Sequence, residues 1–380
     1  MKICFFSTQY LPTVGGVERY TYNIARLLVQ RGHKVTVVTS SLEGLPQQET
    51  DADGIDILRV PSWPVMNGRF PFVKPTAFLS EMKKLFSQGI DFCVIQTRFY
   101  PLSVAASYIC RKYSTPAIVI DHSTGHMPMG NGIVGKIAEL YEHIACGIIK
   151  KCTGRFYGVS AAVSRWLGHF GVNSCGQLYN AIDPQAISME LSENPVDFRK
   201  KLALSPDCRI ISFAGRLIEE KGVEILIDAY KKTGLENTVL LIAGNGPLYE
   251  KLSSLNAEGV YLLGSLPHNN TLQLMAQSNV YCLPTMYAEG FPTTFLEAAA
   301  AHCPVITTVT GGTEEFMPDE RYGIQIRNLT ADSLAAALEK AVSDPVWQKT
   351  AAENAYINLM ENFTWEKTCD RLEQIARENI

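Results

Sequence analysis

Short apolar runs recur along this chain, and each is followed by a glycine-rich or polar loop and then by a segment with helical periodicity. Strands buried on both faces of a parallel sheet have this continuous apolar character, and a helix must carry the chain back between them. The runs therefore predict an α/β fold with doubly wound parallel sheets. The clearest of them are residues 2–7, 35–39, 92–96, 117–120, 210–214, 238–243, 280–284 and 304–308.

The length of 380 residues suits two domains of ordinary size. A content of 46% hydrophobic and 19% charged residues is typical of a soluble globular protein and excludes a disordered chain. No window approaches the roughly 18–20 apolar residues of a membrane span, and the apolar run at the N-terminus is too short for a signal peptide. The ten cysteines include no C-x-x-C pair, which predicts reduced, buried thiols in a cytoplasmic protein.

The two halves of the chain carry opposite charge. Residues 1–180 hold 18 Lys and Arg against 11 Asp and Glu, a net of +7, whereas residues 181–380 hold 16 against 27, a net of −11. A basic first half indicates an anionic partner, either a phosphate-bearing acceptor or an anionic membrane surface. Because no basic–aromatic recognition motif is present, we expect no nucleic-acid partner.

The segment 287–301 combines a loop, a helix start and two carboxylates. It follows the apolar run 280–284, and Pro292 suits the first turn of the helix, where no N–H is needed. The backbone amides at Thr293 and Thr294 would then face an anion at the helix N-terminus.

Glu289 and Glu297 flank these amides, with seven residues between them. Two carboxylates around a phosphate-binding cluster suit a ligand with hydroxyls at both ends and a phosphate in the middle, such as a nucleotide-sugar. Taken alone, such carboxylates are more often a loop residue and a solvated helix face.

The strand 210–214 leads into Gly215 and Arg216, and Lys221 lies five residues beyond the arginine. A guanidinium fork and a lysine point charge after a strand suit a phosphate clamp. Gly15 and Gly16 follow the first strand and permit close backbone approach to a phosphate, although the G-x-G-x-x-G dinucleotide fingerprint is absent. A plain tight turn explains that glycine pair equally well.

The strand 117–120 runs into a loop that carries His122 and His126. Ligands of open α/β sheets bind at the carboxyl ends of strands, so these two histidines lie where function is expected. The sequence offers no further ligands beside them, and we therefore predict no metal site.

Nearly the whole chain resembles the retaining family-4 glycosyltransferases of the GT-B fold, the glycosyl transferases group 1. The resemblance implies two Rossmann-like doubly wound domains facing an interdomain cleft. Residues 1–180 would bind the acceptor, with the C-terminal helix 363–380 packed back on them, and residues 181–362 would bind the donor. The supporting motifs are the segment 287–301, G-R-x-x-x-x-K-G at 215–222, G-G-x-E at 15–18, V-S-x-x-V at 159–163, the linker-like stretch 178–184, and G-G-x-x-E at 311–315.

The resemblance also assigns roles to individual residues. It implies that His122 contacts the donor sugar, that Glu297 holds the ribose, that Glu289 holds sugar hydroxyls, and that Glu18 and His126 face the acceptor. The predicted catalytic residues are His122, Arg216, Lys221 and Glu289. The predicted donor-binding residues are Gly15, Gly16, Gly215, Arg216, Lys221, Gly244, Ser265, Leu266, Glu289, Gly290, Phe291, Pro292, Thr293, Thr294 and Glu297. Ala181 departs from the glycine usual in the linker motif.

The expected reaction is retaining, metal-independent sugar transfer from a nucleotide-sugar to a glycan or lipid-linked acceptor in cell-surface polysaccharide or glycoconjugate synthesis. UDP is favoured over GDP on family frequency. We expect no cofactor, and a cytoplasmic protein that contacts the cytosolic membrane face peripherally. A sugar-nucleotide epimerase of the same fold and a non-catalytic nucleotide-sugar sensor remain alternatives.

Two further segments carry apolar residues in a pattern that needs interpretation. Residues 69–86 mix aromatics with cations and form either an interfacial patch on anionic lipid or an ordinary surface helix. Residues 133–150 place apolar side chains at helical spacing, which predicts a helix packed in the core.

Overall fold

A computed structural model describes residues 1–13, 15–66, 68–127, 132–286 and 289–380. Val14, in the predicted glycine loop, and Tyr287 and Ala288, which open the predicted segment 287–301, lie outside the described residues. The chain divides into two compact units. Unit 1 comprises Met1–Asn180 with Trp365–Ile380, and unit 2 comprises Ala181–Thr364.

Unit 1 contains a seven-stranded sheet in the order β3-β4-β2-β1-β7-β8-β9, in which only β3 and β4 pair antiparallel. A separate hairpin joins β5 and β6. The strands are β1 (Lys2–Phe6), β2 (Lys34–Ser40), β3 (Gln48–Thr50), β4 (Asp56–Val60), β5 (Ser62–Trp63), β6 (Phe72–Val73), β7 (Phe92–Gln96), β8 (Ala117–Asp121) and β9 (Phe156–Gly158). The helices are α1 (Gly16–Gln30), α2 (Pro75–Phe86), α3 (Pro101–Lys112), α4 (Ile133–Cys152) and α5 (Ala161–Leu167), followed by a 3₁₀ turn, Gly168–Phe170.

The core of unit 1 lies on the strands predicted from their apolar runs. β7 is buried at every position, and Phe6, Cys93 and Ile95 are at most 1% exposed. The chain leaves β1 for β2 on one side of the sheet and returns to β7 on the other. In open α/β sheets this reversal of strand order creates a crevice at the carboxyl ends of the strands.

Helix α2 favours the ordinary interpretation of residues 69–86. It buries Phe78, Met82, Leu85 and Phe86 against the unit, and its last turn carries Lys83 and Lys84. A half-buried aromatic contact lies just before the helix, where the Phe70 ring packs 5.4 Å from Tyr100 and 5.6 Å from Tyr141.

Helix α4 corrects the prediction of a core helix at 133–150. Its buried face carries mostly small side chains, including Gly135, Ala138, Ala145 and Cys146. Periodicity shows that apolar positions share a face, but it does not show which face is inside, and here the small residues allow close packing. The large aliphatic residues form an exposed stripe, 43% to 79% accessible, made of Ile133, Val134, Ile137, Leu140, Ile144 and Ile148.

Unit 2 contains a six-stranded, fully parallel sheet in the order β12-β11-β10-β13-β14-β15. The strands are β10 (Arg209–Ala214), β11 (Thr238–Ala243), β12 (Val260–Gly264), β13 (Val280–Leu283), β14 (Val305–Thr308) and β15 (Ile324–Ile326). The helices are α6 (Pro184–Ser192), α7 (Phe198–Lys201), α8 (Val223–Lys232), α9 (Tyr249–Ser254), α10 (His268–Ala276), α11 (Thr294–Ala300), α12 (Thr313–Phe316), α13 (Ala331–Ser343) and α14 (Pro345–Asn362), with a 3₁₀ turn at Glu219–Lys221. Both sheets confirm the predicted α/β class with doubly wound parallel strands.

The C-terminal helix α15 (Trp365–Asn379) belongs to unit 1. The Trp365 ring lies 5.5 Å from Tyr20, and the Thr368 hydroxyl donates to the Tyr179 carbonyl at 3.0 Å. The predicted start at residue 363 is too early, because Phe363 and Thr364 lie in unit 2. Phe363 is the C-cap of α14, and its ring packs 5.3 Å from Phe316 in the same unit.

All ten cysteines are free, and eight of them are buried. Among the described residues, no helix combines the length and the apolar character needed to cross a membrane.

Candidate functional site

The predicted donor residues of unit 2 gather at one edge of its sheet. Gly215 and Arg216 follow β10, Gly244 follows β11, and Ser265 and Leu266 follow β12. The segment with Glu289 and Gly290 comes after β13, which lies next to β10 in the sheet. Strand order reverses between β10 and β13, so this edge is the topological switch point where ligands of open α/β sheets bind.

Two glycines bring the loops of this edge together. Gly244 has φ +144°, and a Cβ there would overlap the Gly215 carbonyl oxygen. Gly222 ends the 3₁₀ turn with φ +69°, and a Cβ there would overlap the Pro284 carbonyl oxygen. Positive φ and close backbone approach both require glycine. The loops after β10, β11 and β13 therefore pack backbone to backbone.

Two cationic side chains lie at this edge, and they differ in exposure and in pairing. The Arg216 side chain is exposed and forms no ion pair within the described part of the chain. Lys221, by contrast, donates from Nζ to Glu289 Oε1, and both side chains are mostly buried. The Thr285 hydroxyl lies 3.4 Å from the same carboxylate oxygen. The structure thus pairs the residue predicted for the diphosphate with the residue predicted for the sugar hydroxyls.

Helix α11 begins later than predicted. Thr293 is its N-cap, without a side-chain capping bond, and Thr294 is the first helical residue. Pro292 therefore directly precedes the N-cap instead of occupying the first turn. Phe291 is buried 5.3 Å from the Phe295 ring, so only its backbone can face a ligand.

Glu297 has a partner that the sequence analysis missed. His268 begins α10 and places Nδ1 2.7 Å from Glu190 Oε2 and Nε2 3.6 Å from Glu297 Oε1. These carboxylates, Glu297 first, raise the pKa of His268 to about 9. The imidazolium is therefore the main form at pH 7. The signal was available, since this histidine lies two positions beyond Leu266, the last of the predicted donor-binding residues after β12.

The glycine loop of unit 1 caps helix α1. Gly15 is the N-cap in an extended conformation, and Glu18 is buried with Oε2 so close that a Cβ on Gly15 would overlap it. Burial raises the pKa of the Glu18 carboxyl, while the backbone amides of Glu18 and Gly15 oppose that shift. A glutamate at this position that reaches back to the N-cap amide is a known capping arrangement. Gly16 has open space around its Cα.

His122 follows β8 and is held as a neutral ring. Its Nε2 lies 2.7 Å from Gln96 Oε1, and the Tyr20 ring packs edge-on at 5.0 Å. Burial lowers the pKa of His122 to about 3. With the proton on Nε2 donated to Gln96, Nδ1 is left as an acceptor.

A buried arginine, which the sequence analysis also missed, supports the loop after β8. Arg98 is fully buried and pairs with Asp121 and, at 3.0 Å, with Glu142. It also donates to the Ser123 hydroxyl at 2.7 Å. Glu142 in turn accepts from the Met127 amide at 2.7 Å. Nothing in the sequence distinguishes Arg98 from a solvated surface charge.

His126, predicted to face the acceptor, lies against this buried group with Nδ1 3.3 Å from Glu142 Oε2. It also lies beside His143 and His169, and these three form the single cluster of possible metal ligands among the described residues. Unit 2 therefore offers no such cluster within its described residues.

Comparisons with known proteins agree with this architecture. The family described as glycosyl transferases group 1 matches residues 196–358, and the family described as glycosyltransferase family 4 matches residues 14–186. An uncharacterized glycosyltransferase of Methanocaldococcus jannaschii is 28% identical over 401 residues, covering 100% of this chain and 97% of that protein. One subunit of human phosphatidylinositol N-acetylglucosaminyltransferase is 23% identical over 389 residues, covering 98% of this chain and 75% of that protein.

Solved structures share the fold at low identity. Anabaena HepE in complex with UDP superposes with a TM-score of 0.77 at 17% identity, with 100% of both chains covered. A glycosyltransferase of Rickettsia africae gives a TM-score of 0.75 at 18% identity, covering 99% of this chain and 98% of that one. The two sheets, the glycine and cation motifs at their carboxyl edges and the two adjoining family matches lead to one conclusion: the chain belongs to the family-4 (group 1) glycosyltransferases of the GT-B fold.

Proposed function

We propose that this glycosyltransferase moves a sugar from a UDP-sugar to a lipid-linked glycan acceptor, with retention at the anomeric carbon and without a metal ion. The observation that carries the proposal is the convergence of Arg216, the Lys221–Glu289 pair and the Glu297–His268 pair on one sheet edge of unit 2. The competing proposals are a GDP-sugar as the donor and a free glycan as the acceptor.

Departure of the nucleoside diphosphate would depend on the two cations. Negative charge grows on the diphosphate oxygens as the glycosidic bond breaks, and preorganised donors stabilise such charge best. Arg216 is available to a phosphate without breaking an ion pair, and Lys221 would exchange part of its contact with Glu289 for phosphate. Helix α11 has only seven residues, so its amides at Thr293 and Thr294 would add less than the side-chain cations.

The carboxylates would position the hydroxyl groups on either side of the diphosphate. Glu297 would accept from the ribose hydroxyls while His268⁺ keeps it ionised, and Glu289 would accept from the sugar. The base would lie beside Ser265 and Leu266. The UDP complex of the structurally similar HepE supports UDP as the nucleotide.

His122 would bind the donor sugar as a neutral ring. With a pKa near 3 it carries no charge at neutral pH, so it would act as a hydrogen-bonding group and not as a cation. In the same-face mechanism that we propose, the leaving phosphate takes the acceptor proton. Trapping of a covalent glycosyl-enzyme would contradict this mechanism.

Unit 1 offers a cavity that could hold an acceptor. It has a volume of about 430 Å³ and is lined by Thr8, Ser40, Ser62 and Pro64, among other residues. The Thr8 and Ser40 hydroxyls are buried without a hydrogen-bond partner in the described structure. Since buried hydroxyls are normally paired, these two atoms suit a hydroxylated head group. The adjoining Val65 and Met66 are exposed and apolar.

The exposed stripe of α4 supports an acceptor held at a membrane. A contiguous line of large aliphatic side chains on a soluble unit marks an interaction surface, and Lys136, Lys150 and Lys151 on the same helix favour anionic lipid. The similar human protein is named for phosphatidylinositol, a membrane lipid. The protein would therefore work in the cytoplasm, peripherally attached to the cytosolic face.

The donor proposal is tested by thermal stabilisation with UDP, GDP, ADP and their sugars, with and without EDTA, on wild type and Glu297→Ala. A ligand that binds only the native state must raise stability. We expect UDP and UDP-sugars to raise the melting temperature of wild type by the same amount with and without EDTA. They should not raise the melting temperature of Glu297→Ala. No shift with any nucleotide at saturation would refute the donor site.

Transfer itself is tested by incubation with the stabilising nucleotide-sugar and a membrane extract. Retaining transfer is supported if nucleotide is released and a glycosylated lipid forms whose anomeric configuration, determined by NMR of the anomeric proton, is the same as that of the donor. Isomerised nucleotide-sugar without nucleotide release identifies an epimerase, and binding without turnover identifies a sensor.

The membrane proposal is tested by flotation with anionic liposomes of wild type, Ile137→Glu and Val346→Glu. Ile137 lies in the α4 stripe, whereas Val346 is a comparably exposed aliphatic residue in α14. We expect flotation of wild type and of the Val346 variant, and loss of flotation for the Ile137 variant. Equal behaviour of the two variants would exclude α4 as the docking face.

A further inference from the structure

Three histidines from separate segments meet in unit 1. His126 lies in the loop after β8, His143 on α4 and His169 in the 3₁₀ turn Gly168–Phe170. The ring centroids of His126 and His169 are 5.0 Å apart, and those of His143 and His169 are 4.9 Å apart. One ring nitrogen of each histidine lies within 4.8 Å of the corresponding nitrogens of the other two.

This spacing is near that of a metal centre. Zn–N bonds of about 2.1 Å in a tetrahedron place ligand nitrogens about 3.4 Å apart. Contraction by at most about 1.4 Å, from 4.8 Å, needs only side-chain rotations. His143 and His169 are exposed and can make them, while His126 is the half-buried and fixed member.

The fixed member already has a carboxylate partner. His126 Nδ1 lies 3.3 Å from Glu142 Oε2, which leaves Nε2 available as a ligand. Metal-binding histidines usually donate their second N–H to a carboxylate in this way, which sets the tautomer and strengthens the ligand. Glu142 is itself fully buried and held by Arg98 at 3.0 Å.

The local charge suits a cation. Behind the histidines one guanidinium, Arg98, faces two buried carboxylates, Asp121 and Glu142, so the group carries an excess of negative charge.

We propose that His126, His143 and His169 bind a divalent transition-metal ion of the Zn²⁺ type, with the remaining coordination position open to solvent. The ion would tie the loop after β8 to helix α4 and to the turn that follows α5. The site belongs to unit 1 alone and is independent of the metal-free transfer reaction proposed above.

The competing explanation is a packed histidine–aromatic cluster. The His169 ring stacks on Trp166 at 4.7 Å with an interplanar angle of 8°, and Phe170 lies 4.7 Å from His143. Stacking of this kind fills space without a metal. It predicts that the histidine rings matter for packing but have no selective affinity for Zn²⁺.

The test is calorimetric titration of Zn²⁺ into the full chain after dialysis against EDTA, for wild type, His143→Ala, His169→Ala and His302→Ala. His302 is the matched control, since it stacks on Tyr356 in unit 2, outside the cluster. We expect one ion per chain in wild type and in the control. Each cluster variant should lose more than the about 10–100-fold in affinity that removal of a mere supporting partner costs.

Two further measurements keep the proposal refutable. Because His143 and His169 are exposed, their variants should keep the melting temperature of the metal-free wild type, which shows that they fold. Substitution with Co²⁺ should give the visible absorption of a tetrahedral nitrogen-bound ion in wild type and in the His302→Ala control, and in neither cluster variant. Absence of binding in wild type, or equal binding in all variants, would overturn the site, and neither result alters the UDP-induced stabilisation.

Discussion

The protonation of His268 gives a sharp test of the geometry around Glu297. The carboxylates of Glu297 and Glu190 raise its pKa from 6.5 to about 9, so the folded protein keeps a proton that the unfolded chain releases near pH 6.5. The resulting stabilisation is complete below pH 6.5 and is lost as the pH rises through 9. A shift of about 2.5 units corresponds to about 3.4 kcal/mol at 1.36 kcal/mol per unit.

That figure must be reduced because the His268 side chain is 48% exposed. Solvent screening weakens such ion pairs, so we expect protonated His268 to contribute about 1–2 kcal/mol to the free energy of unfolding of unit 2 at pH 7. His268→Gln removes the charge and keeps a donor. Its stability deficit should therefore be present at pH 6 and shrink towards zero at pH 10.

The direct assay is an NMR titration of the imidazole protons, with the His268 signal assigned by its absence in His268→Gln. We expect a midpoint near 9 that falls in Glu297→Gln and in Glu190→Gln, because both carboxylates raise the pKa of His268. A midpoint at or below 6.5 would refute the ion pairs. Urea unfolding of both proteins across the same pH range would then give parallel curves.

Three further predictions concern residues at the two sheet edges. Arg216→Ala should lower kcat/KM by about 10²–10³-fold with little change in melting temperature, because its exposed guanidinium would act on the leaving group alone; an unchanged rate would remove it from the site. Gly15→Ala should lower the melting temperature, because its Cβ would displace the Glu18 carboxylate, whereas Gly16→Ala has open space and should change only nucleotide-sugar affinity. Thermal melts with and without UDP separate these two outcomes. Arg98→Met should cost about 3–5 kcal/mol, because it removes the guanidinium that compensates two buried carboxylates, Asp121 and Glu142, and a loss below about 1 kcal/mol in chemical denaturation would contradict that pairing.

The fold was predictable because the strands are fully buried. A run such as 92–96 is apolar at nearly every position, and the structure buries every residue of β7. The short strands β3, β5 and β6 escaped prediction for the converse reason. They have two or three residues each and are mostly exposed, so backbone pairing defines them and no apolar pattern marks them.

The placement of the candidate site residues was predictable only where the residues lie close together along the chain. Gly215, Arg216 and Lys221 lie within one loop, and their order alone indicates a phosphate clamp. His268 reaches Glu297 across 29 positions, and Arg98 reaches Glu142 across 44, so only the folded sheet brings these partners together. The prediction that the large apolar residues of α4 pack in the core was wrong for a related reason, because helical periodicity does not say which of two faces is packed.

The charge of the second half of the chain at first argues against binding a diphosphate. Residues 181–380 carry a net charge of −11, yet the proposed donor is a dianion or more. The structure resolves the conflict locally, because much of this acidity lies on exposed helix surfaces, whereas Arg216 and Lys221 occupy the sheet edge. Exposed charges more than about 8 Å away are screened at physiological salt, while partly buried pairs are screened much less. Donor binding should therefore depend on these two cations and not on the field of the whole unit. We expect that raising the salt concentration weakens UDP binding to Arg216→Ala and to wild type by the same modest factor; a steep salt dependence that is lost with Arg216 would show instead that long-range attraction through this residue dominates.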